Sequence, residues 1–215
     1  MKTEQIQKAL ETIRKDSKKR NFPQTVELIF GLQNLDLKKP DHQVEFFTTL
    51  SKSPKKRRIC AFVGPELKDE AEKVCDLIIT AEDFPKYADK KKAKALAVGY
   101  DFFIAQANIM AKVATAFGRT LGPRGKMPNP KAGCVVPPKA NLQPLYDKLQ
   151  RIIKVSAKTQ LQLQLSVANE DMEDKDIIEN ISQVYKQLVH HLPTHENNIR
   201  TAFIKFTMSK PVRVL

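Results

Sequence analysis

The sequence predicts a chain of mixed class, α/β and α+β. Both termini would build one split α+β sandwich domain around an inserted α/β domain. Three observations point there. Residues 24–50 and 160–208 alternate apolar and polar with period two, as strands with one wet face do. Residues 59–117 instead alternate short apolar runs with helical stretches, the mark of βαβ units and a parallel sheet. At 215 residues and 41% hydrophobic content, the chain is long and apolar enough for two packed cores. The expected divisions are 1–61 with 154–215, and 62–153.

The elements follow in order. Ile6, Ala9, Leu10 and Ile13 form one apolar stripe of an opening helix, with Thr3 as its cap and Arg14, Lys15, Lys18, Lys19 and Arg20 at its basic end. From Gln24, Val26, Leu28, Phe30 and Leu32 point one way while Thr25, Glu27, Ile29 and Gly31 point the other. A turn carrying Lys39, Pro40 and Asp41 leads to a second strand over 44–50, read as the antiparallel neighbour of the first. After the basic run Lys52, Lys55, Lys56, Arg57 and Arg58 come strands at 59–63, 77–80 and 102–105. Helices are expected over 65–76, 90–97 and 108–117. A loop rich in Gly and Pro over 118–138 precedes a helix over 142–153. Then come a strand over 160–167, a helix striped by Ile177, Ile178, Ile181, Val184, Tyr185 and Leu188, and a last strand over 199–208. In that strand Ala202, Ile204 and Phe206 face in, and Thr201, Lys205 and Thr207 face out.

Charge narrows the partners. Lys and Arg number 37 against 24 acids, a net of +13 with pI near 9.6, which favours polyanions and nucleic acid first. No apolar run approaches the roughly 20 residues that span a bilayer, and no signal-peptide stretch opens the chain. A soluble, intracellular protein without a membrane partner is expected. Cys60, Cys75 and Cys134 make neither a disulfide framework nor a zinc pattern and read as reduced, buried or partly buried thiols.

Enzymatic constellations fail on spacing. The run Gly118 to Pro128 suggests a phosphate loop. However, Thr120 stands where the first glycine is needed, and Met127 where Ser or Thr should follow Lys126. After the strand ending at Val63 only Gly64-Pro65-Glu66 follows, too few glycines to admit a pyrophosphate. His190, His191 and His195 read as helix-end cations, and Glu170, Asp171, Glu173 and Asp174 as a solvated helix start. No catalytic residue, metal or cofactor is expected. Outward Thr25, Glu27, Thr201, Lys205 and Thr207 on one domain suit hydrogen bonds to bases and ribose 2′-hydroxyls. The alternative is a nucleotide-dependent α/β enzyme acting on RNA.

Four ordered stretches carry a resemblance: 20–28 (Arg-Asn-Phe-Pro-Gln-Thr-Val-Glu-Leu), 101–107 (Asp-Phe-Phe-Ile-Ala-Gln-Ala), 121–128 (Leu-Gly-Pro-Arg-Gly-Lys-Met-Pro) and 207–211 (Thr-Met-Ser-Lys-Pro). In these the chain resembles the L-one family of the large ribosomal subunit, archaeal type, which builds the stalk at the tRNA exit site. The resemblance implies a Rossmann-like three-layer inserted domain. It also implies binding of large-subunit rRNA by the split domain, repression of the protein's own mRNA, and contact with deacylated tRNA. The implied state is a cytoplasmic, ribosome-bound protein that is monomeric off the ribosome. By motif, Phe22, Thr25 and Glu27 would form the first RNA-facing strand. Thr201, Lys205, Thr207, Met208, Ser209, Lys210 and Pro211 would form the C-terminal contact, with Arg119, Arg124 and Lys126 as candidate tRNA or RNA phosphate contacts. Ser209 stands where the family's usual residue is glycine, so either the turn is ordinary here or the RNA fit is looser.

Overall fold

The computed structural model describes residues 1–39 and 42–215; Pro40 and Asp41, placed in a turn by the sequence, lie outside the described residues. The chain divides into two compact units, 1–55 with 151–215, and 56–150. The seams expected at 61/62 and 153/154 therefore move. The first would cut the strand Ile59–Val63, which pairs on both sides within the second unit.

In the split unit, helix α1 (Thr3–Asp16) buries Ile6, Ala9, Leu10 and Ile13. Thr3 is its first helical residue and not its cap; Lys2 holds that place, its N–H donating to Gln5 Oε1 at 3.1 Å. Strand β1 (Thr25–Leu32) alternates half-buried and buried residues along its whole length, as its sequence parity requires. Strand β2 (Val44–Thr49) does not join it. Its register lies against β7 (Ile152–Ala157) in a separate two-stranded sheet. β7 occupies the end of the stretch expected as helix, because helix α5 (Gln143–Arg151) passes into it with no turn residue between.

β1 pairs antiparallel with β8 (Gln162–Asn169) and with β9 (Ile199–Phe206), and β10 (Val212–Arg213) extends the sheet. The strand order is β10-β9-β1-β8. A bulge opposite Val26 and Glu27 turns Val167 and Ala168 both inward, breaking the alternation of β8. Helix α6 (Asp174–His191) packs beside α1, and its stripe joins the inward strand residues in one core. Side chains on the opposite sheet face are exposed or half-buried.

The inserted unit is a parallel sheet. Its order is β4-β3-β5-β6, from β3 (Ile59–Val63), β4 (Leu77–Thr80), β5 (Phe102–Gln106) and β6 (Val135–Val136). β3 is buried throughout, as a central parallel strand must be. Helices α2 (Lys68–Val74), α3 (Lys90–Gly99) and α4 (Met110–Leu121) follow the strands, α2 and α4 after short 3₁₀ turns. Phe62 anchors the core, with Phe103, Phe117 and Phe84 around it at ring separations of 4.8–5.9 Å. Among the described residues no helix is long and apolar enough to cross a membrane.

Candidate nucleic-acid interface

Register brings the outward residues of the split unit together from both ends of the chain. Glu27 lies opposite Lys205 on β9 and Ser166 on β8, and Gly31 lies opposite Thr201. Thr25, Glu27, Thr201 and Lys205 therefore share one face. Ile29, between Phe203 and Gln164, completes its middle, and Gln162 and Ser166 stand exposed along its β8 edge. Those additional residues follow from parity once the pairing is known, and pairing is what parity does not contain. The Lys205 ammonium is 3.7 Å from Glu27 Oε2 and donates to the Thr207 carbonyl at 3.1 Å. A Cβ on Gly31 would lie 2.6 Å from Thr201 Oγ1, so glycine is what lets Thr201 lie across β1 there.

Thr207 is not part of β9, which ends at Phe206; it opens the turn that follows. Its N–H donates to the Thr25 carbonyl and its Oγ1 accepts from the Thr25 N–H, both at 3.1 Å. The hydroxyl is thus engaged in closing the sheet end as well as facing outward. Beneath it sits Gln24, fully buried. Its Oε1 accepts from Met208 N–H at 3.1 Å, and its Nε2 donates to Ser17 Oγ at 3.0 Å. The Gln24 backbone exchanges hydrogen bonds with Glu170, N–H to Oε2 at 3.1 Å and carbonyl from N–H at 2.8 Å. Arg14 reaches Asp174 Oδ1 at 2.7 Å and the carbonyls of Glu170 and Met172. Glu170 and Asp174 are therefore fastened to the N-terminal segment and are not a plain solvated face.

Ser209 resolves the question its sequence raises. Only Asn34 and His195 among the described non-glycine residues have positive φ, so Ser209 takes an ordinary conformation. Its Oγ accepts from Phe206 N–H at 2.8 Å, a bond glycine lacks. Met208 and Phe22 flank this end of the sheet at 59% and 49% exposed, beside exposed Lys210 and Pro211. Large apolar side chains this open beside cations offer stacking and packing surface for unpaired bases.

On the inserted unit, the Gly64 N–H that a pyrophosphate after β3 would need is already engaged. Buried Gln106 accepts the Gly64 N–H at 2.7 Å and donates to Glu66 Oε2 at 3.1 Å, closing the C-terminal ends of β3 and β5. The loop after α4 gives three different fates to its expected contacts. Arg119 is exposed, and Arg124 is exposed with one N–H on the Thr120 carbonyl at 2.9 Å. The Lys126 ammonium instead donates to the Ala97 and Tyr100 carbonyls at 2.9 and 2.6 Å, closing the end of α3.

Cys60 and Cys134 are buried and Cys75 half-buried, all three as free thiols; burial pushes Cys75 and Cys134 up to about 11. His191 stacks on Phe46 at 3.9 Å and, like His190, ends α6. No group of three metal-ligating side chains occurs among the described residues.

Comparison with known proteins finds relatives along nearly the whole chain. A large ribosomal subunit protein uL1 of Nanoarchaeum equitans is 41% identical over 99% of this chain and 98% of its own length. Those of Methanobrevibacter smithii and Thermoplasma volcanium are 38% and 33% identical, each covering at least 95% of both chains. The family model described as "Ribosomal protein L1p/L10e family" matches residues 13–210. Its members are structural proteins and not enzymes. With the motifs at 20–28, 101–107, 121–128 and 207–211 all inside that match or at its edge, the chain belongs to the ribosomal protein L1p/L10e family, archaeal type.

Proposed function

We propose that this chain is a structural constituent of the large ribosomal subunit that binds large-subunit rRNA through the open face of the β10-β9-β1-β8 sheet. One observation carries the reading. Residues nearly the whole chain apart, Thr25 with Thr207 and Glu27 with Lys205, are joined by hydrogen bonds and register into one polar face flanked by exposed Phe22 and Met208. Such a face reads shape, 2′-hydroxyls and splayed bases, while the net charge of +13 supplies salt-dependent attraction to phosphate. The same face would serve for a similar fold in the protein's own mRNA, which is how repression would work. A contact of the inserted unit with deacylated tRNA would fall to Arg119 and Arg124, since Lys126 is spent on α3. The nucleotide-enzyme alternative loses its site to Gln106.

The test is binding of the purified chain to large-subunit rRNA fragments across a salt series, beside Thr207→Val and Glu27→Ala. One fragment held at high salt by the wild type and released by both variants supports the reading. Equal binding to every RNA, collapsing with salt and indifferent to both substitutions, refutes it.

A further inference from the structure

Helix α4 leaves one side uncovered, with Ala111, Lys112, Thr115 and Ala116 exposed on it. Phe84, Pro85 and Ala88 form the opposite wall of a trough floored by Ala111 and Ala116. At Ala88, Thr115 and Ala116 this apolar trough runs into a second one, rimmed by Lys90, Lys94, Arg119 and Arg124. No carboxylate lines either stretch. Of the acids nearby, Asp83 pairs with Lys86 at 2.6 Å and Asp89 caps α3 by accepting the Lys91 N–H at 2.9 Å, while Glu82, next to Ala81, is exposed.

Two halves of different chemistry thus form one groove. A phosphate backbone would answer the four cations of the rim but leave the apolar half, where Lys112 is the single cation, largely uncovered. Bases bury themselves by stacking on rings, and the rings here are committed: Phe84 is buried and Tyr87 packs on Phe117 at 5.9 Å. An amphipathic helix answers both halves, with aliphatic side chains for the alanine floor and carboxylates for the cationic rim. From Ala111 to Thr120 the floor follows α4 for about 14 Å, roughly three turns of a partner helix. We infer that this groove of the inserted unit docks an acidic amphipathic helix of a partner protein. Its apolar residues would lie over Ala111 and Ala116, and its carboxylates against Lys90, Lys94, Arg119 and Arg124. This surface is independent of the sheet face proposed for rRNA; it shares Arg119 and Arg124 with the contact proposed for deacylated tRNA, so a docked helix and tRNA would exclude each other there.

The experiment titrates the full chain against a labelled peptide carrying Leu at helical i, i+3, i+4 and i+7 positions and Glu elsewhere. A scrambled peptide of equal composition and a decauridylate run beside it. Ala116→Gln and Arg119→Glu, both at exposed positions, are the variants, with circular dichroism to confirm folding. The patterned peptide should bind at least about tenfold tighter than the scramble, and each variant should weaken it by about tenfold. Equal binding of the two peptides, or none, overturns the inference. So does decauridylate binding that Arg119→Glu abolishes and Ala116→Gln spares, which would make the groove a seat for RNA backbone.

Discussion

Gln24 holds the end of the sheet face from below, and Gln24→Met is the substitution that shows it. Methionine nearly matches glutamine in shape but neither donates nor accepts comparably, so the cavity stays filled while two bonds go. These are the acceptor for Met208 N–H and the donor to Ser17 Oγ. At a net 0.5–1.5 kcal/mol each, the loss is about 2 kcal/mol. For a chain of this size that corresponds to a fall of about 6 °C in the melting transition of the split unit. The backbone exchange between Gln24 and Glu170 survives, so the sheet end should loosen rather than open. Thermal unfolding followed by circular dichroism reads the first effect. Binding to the retained rRNA fragment reads the second: freeing the 207–209 turn removes preorganisation and should weaken it by about tenfold. A variant that melts with the wild type and binds equally would show that the Gln24 bonds hold nothing, and the account of the turn would fail.

Other consequences are briefer. Lys126→Ala leaves the Ala97 and Tyr100 carbonyls without their cation and should cost about 1–3 kcal/mol in urea unfolding. Arg124→Ala, with its single exposed bond to Thr120, should stay within about 0.5 kcal/mol of wild type. Glu45 is held down to about 2 by Lys158 and Lys154. Its depressed carboxyl stabilises the fold above the ordinary carboxylate range, and that contribution disappears as pH falls from about 4.5 towards 2. Glu45→Gln should therefore narrow the gap between neutral and acid stability, a change acid titration of the melting temperature would reveal. With Cys60 and Cys134 buried, Cys75 half-buried, and Cys75 and Cys134 pushed up to about 11, a thiol reagent at pH 8 should react slowly with the native protein and with all three thiols once it is unfolded.

Parity made the strand faces legible: every residue of β1 buries or exposes as its alternation dictates. What parity lacks is a partner. Glu27 and Lys205 belong to opposite ends of the chain, and their juxtaposition is set by register, itself shifted by irregularities at Val26/Glu27 and Gly31/Leu32. The same gap explains why β2 is legible as a strand from its sequence while its neighbour is not. Its partner β7 hides behind α5, where Ile152, Ile153 and Val155 were its only signal. Buried polar hubs are less legible still. Gln24 and Asn180 bond largely to remote backbone, Asn180 to Lys52 and Val167, and nothing local marks a glutamine or asparagine as fully buried. Lys126 shows the converse. In a Gly-Pro loop it reads as a phosphate contact, and only folding shows its ammonium turned to carbonyls.

Glu27 gives the sharpest division between charge and recognition. A protein at +13 gains nothing electrostatic from a carboxylate on a face proposed to meet RNA, and Lys205 stands 3.7 Å from it. Such a group is useful only where it accepts from a base amine or a 2′-hydroxyl; elsewhere it repels phosphate. Glu27→Gln keeps the shape and removes the repulsion. Binding to unstructured RNA at low salt should then strengthen by up to about fivefold, with a steeper salt dependence, while the retained rRNA fragment binds about tenfold more weakly. The ratio of the two affinities is the quantity to measure, because stability or expression changes move both terms together. If Glu27→Gln tightens both RNAs alike, the carboxylate is a bystander, and recognition by this face has to be assigned to Thr25, Thr201 and the Phe22–Met208 flank instead.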